Sequence, residues 1–169
     1  MAEWVVAYCR KSVGNLTPDE MLKELRMADL LTLGENLDLT TSTIKEAEKQ
    51  LRFEKEKRDP DFSYVDLQFK TDGRPIQIRR NTKPKTELDE TLENLPEAKE
   101  AGLERVRKHL SETVEIVSFE LGGTDSQGVG AILAEVTAFF IAQHGDGIVE
   151  FYGMEWCDPK DRGDCIWKR

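Results

Sequence analysis

The chain has 169 residues, enough for one domain that buries about 70% of its unfolded surface. Apolar residues (38%) and charged residues of both signs (34%) are mixed along it, which argues against intrinsic disorder. The formal charge of -9 argues against a binder of nucleic acid or of an anionic membrane, and it is compatible with a basic protein partner. The first nine residues have no basic region and only a short apolar run, so we expect no signal peptide and a cytoplasmic location.

A strand and a helix are predicted at the start of the chain. Trp4–Tyr8 is a short apolar run that predicts the first strand. The helix begins after Thr17, which can form a capping box with Glu20, and the intervening proline suits the first helical position. Its buried stripe extends to Leu33, and Gly34 is placed to end it.

A second helix is predicted within Leu37–Arg58. Thr43 and Glu46 offer another capping box, and Ile44, Ala47 and Leu51 recur at helical spacing. The remaining residues are mostly Glu and Lys. We therefore expect a solvated helix with one thin apolar seam.

A β-hairpin is predicted next. Ser63–Lys70 and Arg74–Arg80 alternate between apolar and polar residues, and Asp72–Gly73 between them predicts a type I′ turn. Pro75 cannot donate a ladder hydrogen bond, so we expect its strand either to lie at a sheet edge or to begin at Pro75. The following segment, Asn81–Asn94, is predicted to be a linker, with a helical turn around Leu88 and Leu92 as the alternative.

The densest apolar part of the chain lies near its C-terminus. It follows a helix that Asn94 is predicted to cap. Thr113–Leu121 alternates and predicts a strand, Ala131–Ala142 is apolar almost all round and predicts a buried helix, and Ile148–Trp156 predicts a second strand. The rest of the chain is expected to pack on this unit, with a polar tail from about residue 157.

This order of elements predicts a single α+β domain over residues 1–169. The part through Leu121 matches a split βαβ arrangement, to which a helix–strand unit is added. We expect an antiparallel or mixed sheet of about five strands, with helices packed mainly on one face.

The glycine-rich stretch Gly122–Gly130 lies where phosphate-binding loops occur, between a strand and a helix. It lacks the Gly-Lys-Ser/Thr of a P-loop, since Gly128 precedes Val129, and its glycines do not fit the dinucleotide-binding pattern. Asp125 and Ser126 are expected to cap the helix instead, and Asp125 would repel a phosphate.

No arrangement of residues in the sequence indicates catalysis, and we expect neither a cofactor nor a metal. Cys9, Cys157 and Cys165 are predicted to be free thiols, although the last two could close a disulfide across a loop. Cys9 follows a strand next to basic residues, but a small residue at a strand end explains it more simply. A zinc site in the tail would lack ligands, because the two histidines, His109 and His144, lie elsewhere.

Two groups of charged residues suggest an interaction surface. A basic strip begins on the second strand of the predicted hairpin and consists of Arg74, Arg79, Arg80, Lys83 and Lys85. The tail combines aromatic and acidic residues, as protein interfaces do. Its simpler interpretation is a solvated acidic loop with at least one aromatic in the core. Trp167 is the aromatic that we expect to be exposed.

The stretch Gly145-Asp-Gly-Ile-Val-Glu-Phe-Tyr-Gly153, after the apolar helix, resembles the end of small bacterial polymorphic-toxin immunity proteins. In those proteins a helix is followed by a Gly-Asp turn, a hydrophobic strand and a polar tail. The resemblance covers about the last quarter of the chain and includes no diagnostic residue set. It implies a non-enzymatic protein that blocks a cognate toxin, often through acidic groups that face a basic active site.

The leading hypothesis is a protein-binding module for a basic partner, with an immunity protein as its specific form. The predicted partner-binding residues are Glu155, Trp156, Asp158, Asp161, Asp164 and Trp167. The alternative is a small-molecule-binding domain or enzyme with a pocket near Gly122–Gly130. A third hypothesis is a subunit that assembles by edge-strand pairing at Pro75–Arg80.

Overall fold

A computed structural model describes residues 2–58, 62–161 and 165–169 of the chain. These residues form an α+β fold with six α-helices and one eight-stranded antiparallel sheet. The strands are β1 (Glu3–Cys9), β2 (Arg52–Arg58), β3 (Phe62–Gln68), β4 (Ile76–Asn81), β5 (Glu115–Leu121), β6 (Gly147–Phe151), β7 (Glu155–Cys157) and β8 (Cys165–Lys168). The helices are α1 (Pro18–Met27), α2 (Leu30–Glu35), α3 (Thr41–Gln50), α4 (Lys85–Asn94), α5 (Ala101–Ser111) and α6 (Val129–His144). The α+β class is confirmed, whereas the expected number of about five strands is wrong.

The sheet has the strand order β2-β3-β4-β5-β1-β6-β7-β8. The N-terminal strand β1 therefore lies inside it, between β5 and β6, where Tyr8 is opposite both Ile116 and Ile148. Strand β4 also lies inside, between β3 and β5. The hypothesis of edge-strand pairing at Pro75–Arg80 is therefore wrong, because β2 and β8 form the edges among the described strands.

Helices cover both faces of the sheet. Along β1, Val5, Ala7 and Cys9 belong to the core formed with α1, α2, α3 and α6, while Tyr8 belongs to a second core formed with α4 and α5. Four of the six helices pack on one face, as expected, but the expectation missed α4 and α5 on the other face. The cover on both faces is visible in β5, whose residues are almost all buried, as in strands covered on both sides.

Helix α6 is the buried helix that its composition predicts. It packs against β1, β5 and β6 on one side, and α1, α2 and α3 contact it from the other. Most of its residues are buried, including Leu133, Ala134 and Ala138 at 0% exposure. Because neighbours surround it, no polar face is needed.

The first predicted helix is confirmed at its start and wrong at its end. The Thr17 hydroxyl accepts from the Glu20 N–H, and the Glu20 carboxylate accepts from the Thr17 N–H, which completes the capping box. The helix ends at Met27 because Ala28 is extended, and Asp29 then caps α2 by accepting from the Thr32 N–H.

The helix predicted over Leu37–Arg58 is only half correct. Helix α3 is capped by Thr40, and the chain turns at Leu51 into β2, which pairs with β3. The sequence of β2 is Arg-Phe-Glu-Lys-Glu-Lys-Arg, and edge strands commonly carry such charges because charge discourages pairing with another chain. Propensity alone does not reveal this role.

The β3–β4 hairpin is confirmed, but its turn is not the predicted one. Leu67 pairs with Ile76, so the connection is longer than two residues, and Gly73 but not Asp72 has positive φ. Positive φ at both central residues occurs instead at Tyr152 (55°) and Gly153 (70°), between β6 and β7. The single strand predicted over Ile148–Trp156 is therefore a tight hairpin.

Two further segments have more structure than predicted. The linker Asn81–Asn94 contains α4, and α5 follows the N-cap Glu100 and not Asn94. The polar tail contains β8, which pairs with β7 and packs on α5. None of the helices in the described parts of the chain combines the length and apolarity needed to cross a membrane.

Candidate functional site

The two tryptophans predicted to contact a partner are buried. Trp156 is 1% exposed and its ring lies 5.1 Å from that of Tyr8. Trp167 is 8% exposed, and its indole N–H donates to the Glu100 carboxylate at 3.0 Å. The prediction that Trp167 is exposed is wrong, because β8 packs on α5. These side chains hold the tail in place and offer no contact area to a partner.

The acids of the tail do not form one surface. Glu155 lies on β7 with its carboxylate 3.7 Å from the Lys168 ammonium, whereas Asp158 forms an ion pair with Arg105 of α5. Trp156 follows Glu155 on β7 and faces α5. Because side chains alternate along a strand, Glu155 faces the opposite side of the sheet. Asp161 is exposed, and Asp164 lies outside the described residues.

Asp158 borders a polar cleft of about 220 Å³ between α5 and the start of β6. Arg10, Lys108 and Lys160 line it, and Arg10 forms ion pairs with Asp146 at 2.9 Å and Glu112 at 2.8 Å. His109 is also in the wall, where burial lowers its pKa and its ring N–H donates to the Tyr8 carbonyl at 2.9 Å. The cleft is basic and mostly neutralised by its own acids, and the residues that line it include no Ser, Thr or Cys nucleophile.

A stronger concentration of acid lies on α4 and the segment that follows it. We define the acidic helical surface as Asp89, Glu90, Glu93 and Glu97, all of which are exposed. Within the described structure these four carboxylates make no ion pair, whereas the neighbouring Glu87 is bound by Arg79 at 2.8 Å. Four unpaired acids on one short segment create a local negative potential that attracts a basic partner.

An apolar groove of about 490 Å³ adjoins the acidic helical surface between α4 and the end of α5. Leu88, Leu92, Leu110 and Val114 contribute its apolar wall, and Val114 is 46% exposed. Asp89 stands at the rim, as do two lysines near the start of α4. An apolar centre with a charged rim is the usual composition of a protein interface.

Sequence reasoning missed this surface because it treated residues 81–94 as a linker. The signal was present: Leu88, Leu92 and Leu95 recur at helical spacing and form the buried side of α4. Asp89 and Glu93 are four positions apart in the sequence and so share the opposite, exposed side of α4.

A second groove, of about 630 Å³, lies near the glycine-rich stretch Gly122–Gly130. Thr43 and Ala47 of α3 line it together with Phe69 and Asp125. The predicted capping by Asp125 is wrong: α6 is capped by Gly128 without a side-chain hydrogen bond, and Asp125 forms an ion pair with Lys70. The side chain of Ser126 lies outside the described residues.

All three cysteines have free thiols, as expected. Burial, and then the charge of Glu115, raises the pKa of Cys9 to about 12, which disfavours the nucleophilic thiolate form. Cys157 and Cys165 lie opposite each other on β7 and β8. With Glu155 they form a group whose ligand atoms lie within 4.8 Å of one another and which could hold a metal ion.

Comparisons with known proteins do not add to this geometry. The chain matches no protein-family model, no curated protein and no solved structure.

Proposed function

We propose that this protein is a non-enzymatic binding module that recognises a basic protein partner through its acidic helical surface. The observation that carries the proposal is the set of four exposed carboxylates that make no ion pair in the described structure, one of which, Asp89, lines an apolar groove. Such charges accelerate association with a basic partner, and the apolar groove then supplies buried contact area. The net charge of -9 also attracts a basic partner, and it acts over a longer distance than the four carboxylates do.

The specific form of this function that we propose is toxin neutralisation by an immunity protein. Its support is the resemblance of residues 145–153 to the ends of such proteins. Because Trp156 and Trp167 are buried, we propose that the contact lies on α4 and not on the tail. Asp158, Asp161 and Asp164 stay as the competing contact group.

The test compares three charge-reversal variants in affinity capture from native cell lysate, followed by binding kinetics with the identified partner. The first variant changes Glu90, Glu93 and Glu97 to Lys, on the acidic helical surface. A matched control changes Glu35, Glu46 and Glu48 to Lys, which are exposed acids of the helices on the other face of the sheet. A third variant reverses Asp158, Asp161 and Asp164.

We expect the first variant to lose about tenfold or more in association rate, and the wild-type rate to fall as salt is added. The matched control should bind as the wild type does, although its net charge is the same as that of the first variant. Loss only in the third variant would place the contact on the tail. A wild type that retains no basic protein would refute the binding function itself.

A second candidate function is small-molecule binding in the groove beside Gly122–Gly130. Its volume of about 630 Å³ lies within the usual range for ligand sites, about 300–1,000 Å³. Lys70 and Thr43 contribute polar groups to a wall that also contains apolar side chains such as Phe69. A ligand that raises the melting temperature of the wild type but not of a Thr43→Val variant would support it.

A further inference from the structure

The terminal hairpin brings three metal-ligand side chains together from two strands. Cys157 of β7 lies opposite Cys165 of β8, next to an irregularity in the pairing of the two strands. Glu155 lies two residues before Cys157, so alternation places both side chains on the same side of β7. The two sulfur atoms and a Glu155 carboxylate oxygen all lie within 4.8 Å of one another.

The group is open to solvent on one side. Cys165 is exposed and Glu155 is half-buried, while Cys157 is buried against the core that contains α6. An ion can therefore reach the group without unfolding the hairpin. The Cys157 thiol already points at the Glu155 carboxylate, at 3.8 Å, and the Cys165 thiol donates to the Trp167 carbonyl at 3.0 Å.

A divalent cation binds such a group by replacing the two thiol protons, so that two thiolates and one carboxylate face the ion at once.

We propose that Cys157, Cys165 and Glu155 bind a Zn²⁺ ion, with water in the fourth position. Two thiolates and one carboxylate are a donor set that zinc accepts, whereas Ca²⁺ and Mg²⁺ require oxygen ligands. Bond lengths of about 2.0–2.3 Å in a tetrahedron require ligand atoms about 3.5–3.8 Å apart. Since the ligand atoms lie within 4.8 Å of one another, each pair of atoms must close by about 1.3 Å at most, which rotation of the exposed Cys165 side chain can supply.

The ion would fasten the edge strand β8 to β7. Strand β8 has four residues and carries Trp167, which packs on α5, so its attachment affects the second core. A ligand that binds the folded hairpin alone stabilises it by mass action. The inference is independent of the proposed partner binding, because none of the three ligands belongs to the acidic helical surface.

The test is a Co²⁺ titration of the full chain under reducing conditions, followed by displacement with Zn²⁺. We expect one equivalent of Co²⁺ to produce thiolate charge-transfer and tetrahedral d–d absorption, and Zn²⁺ to abolish both. Zn²⁺ should also raise the melting temperature. Cys165→Ser, at an exposed position that tolerates the change, should remove the charge-transfer band, and Glu155→Gln should weaken binding by about tenfold or more.

Two variants serve as controls. Cys9→Ala removes the thiol of β1, which lies outside the group, and Asp161→Asn removes an exposed acid of the same tail. Both should bind Co²⁺ as the wild type does. Absorption without thiolate bands, equal binding by Cys165→Ser, or a Cys157–Cys165 disulfide that persists in reductant would overturn the proposal.

Discussion

At the scale of residues, acidic side chains bind the arginines of the basic strip and so reduce its positive charge. Arg74 forms an ion pair with Glu120, Arg79 with Glu87 at 2.8 Å, and Arg80 with Glu115 at 3.0 Å. Glu115 and Glu120 belong to β5, far along the chain from their arginines, whereas Glu87 of α4 follows Arg79 by eight residues. The strip is thus largely neutralised, and it is a weaker candidate surface than its sequence indicates.

Among these ion pairs, Arg80–Glu115 should contribute most to the free energy of unfolding. Glu115 is 6% exposed and also accepts from the Ser12 hydroxyl at 2.7 Å and the Val13 N–H at 3.0 Å. We expect Glu115→Gln to lower the free energy of unfolding by about 3 kcal/mol at neutral pH, because it removes a buried carboxylate and leaves the partly buried Arg80 guanidinium without its charged partner. Chemical denaturation measures this change.

The control for this prediction is Glu120→Gln on the same strand. Its partner Arg74 is 50% exposed, so the change should cost less than about 1 kcal/mol. Equal losses of unfolding free energy in Glu115→Gln and Glu120→Gln would show that burial does not distinguish the two ion pairs.

The contribution of Glu115 should depend on pH. Burial acts to raise its pKa, but hydrogen bonds from Arg80, Ser12 and Val13 together outweigh burial and place the pKa below the ordinary value of 4.5. A lowered pKa in the fold gives stability that is complete above about pH 4.5 and is lost as the pH falls through the folded pKa. The difference between wild type and Glu115→Gln should therefore shrink in acid, and a constant difference would contradict this account.

At the scale of elements, the contact between α5 and β8 reverses an expectation based on helix propensity. Gly102 lies in the first turn of α5, where glycine costs about 1 kcal/mol relative to alanine. In the fold, however, a Cβ atom at this position would collide with the backbone carbonyl of Ile166. Glycine is therefore required here for the close approach of β8.

We expect Gly102→Ala to lower the free energy of unfolding by about 1–3 kcal/mol, because steric conflict with backbone outweighs the gain in propensity. Thermal and chemical denaturation report the change. Ser111→Ala, at the exposed end of the same helix, is the matched control and should alter stability by about 0.5 kcal/mol or less. A higher melting temperature for Gly102→Ala would mean that β8 does not pack closely on α5.

At the scale of the whole molecule, the central strands join two cores. Strands β1, β5 and β6 each contribute side chains to both, for example Val5 and Tyr8 of β1. Neither core can lose its strands without affecting the other. The chain should accordingly behave as the single domain that its length predicts.

We therefore expect one cooperative unfolding transition in denaturant. Trp156 and Trp167 report the core with α4 and α5 by fluorescence, while far-UV circular dichroism follows all helices, including α6. The two signals should have the same midpoint within error. A tryptophan transition that precedes the loss of helix would show that the second core unfolds by itself.

The sequence by itself determined those features whose signals are local. The capping box at Thr17, the all-apolar helix α6 and the strands β1 and β5 depend on neighbouring residues, and all are present in the structure. The acidic charge also follows from composition.

The tertiary structure alone decided which distant segments meet. The strand order, the helices on both faces and the burial of Trp167 depend on partners that lie far away in the sequence. The candidate sites depend on the same contacts: α4 exposes its acids because its leucines pack on the sheet, and Cys165 meets Cys157 because β8 pairs with β7. Hydrophobic burial and strand pairing act between surfaces, so local sequence patterns do not determine them.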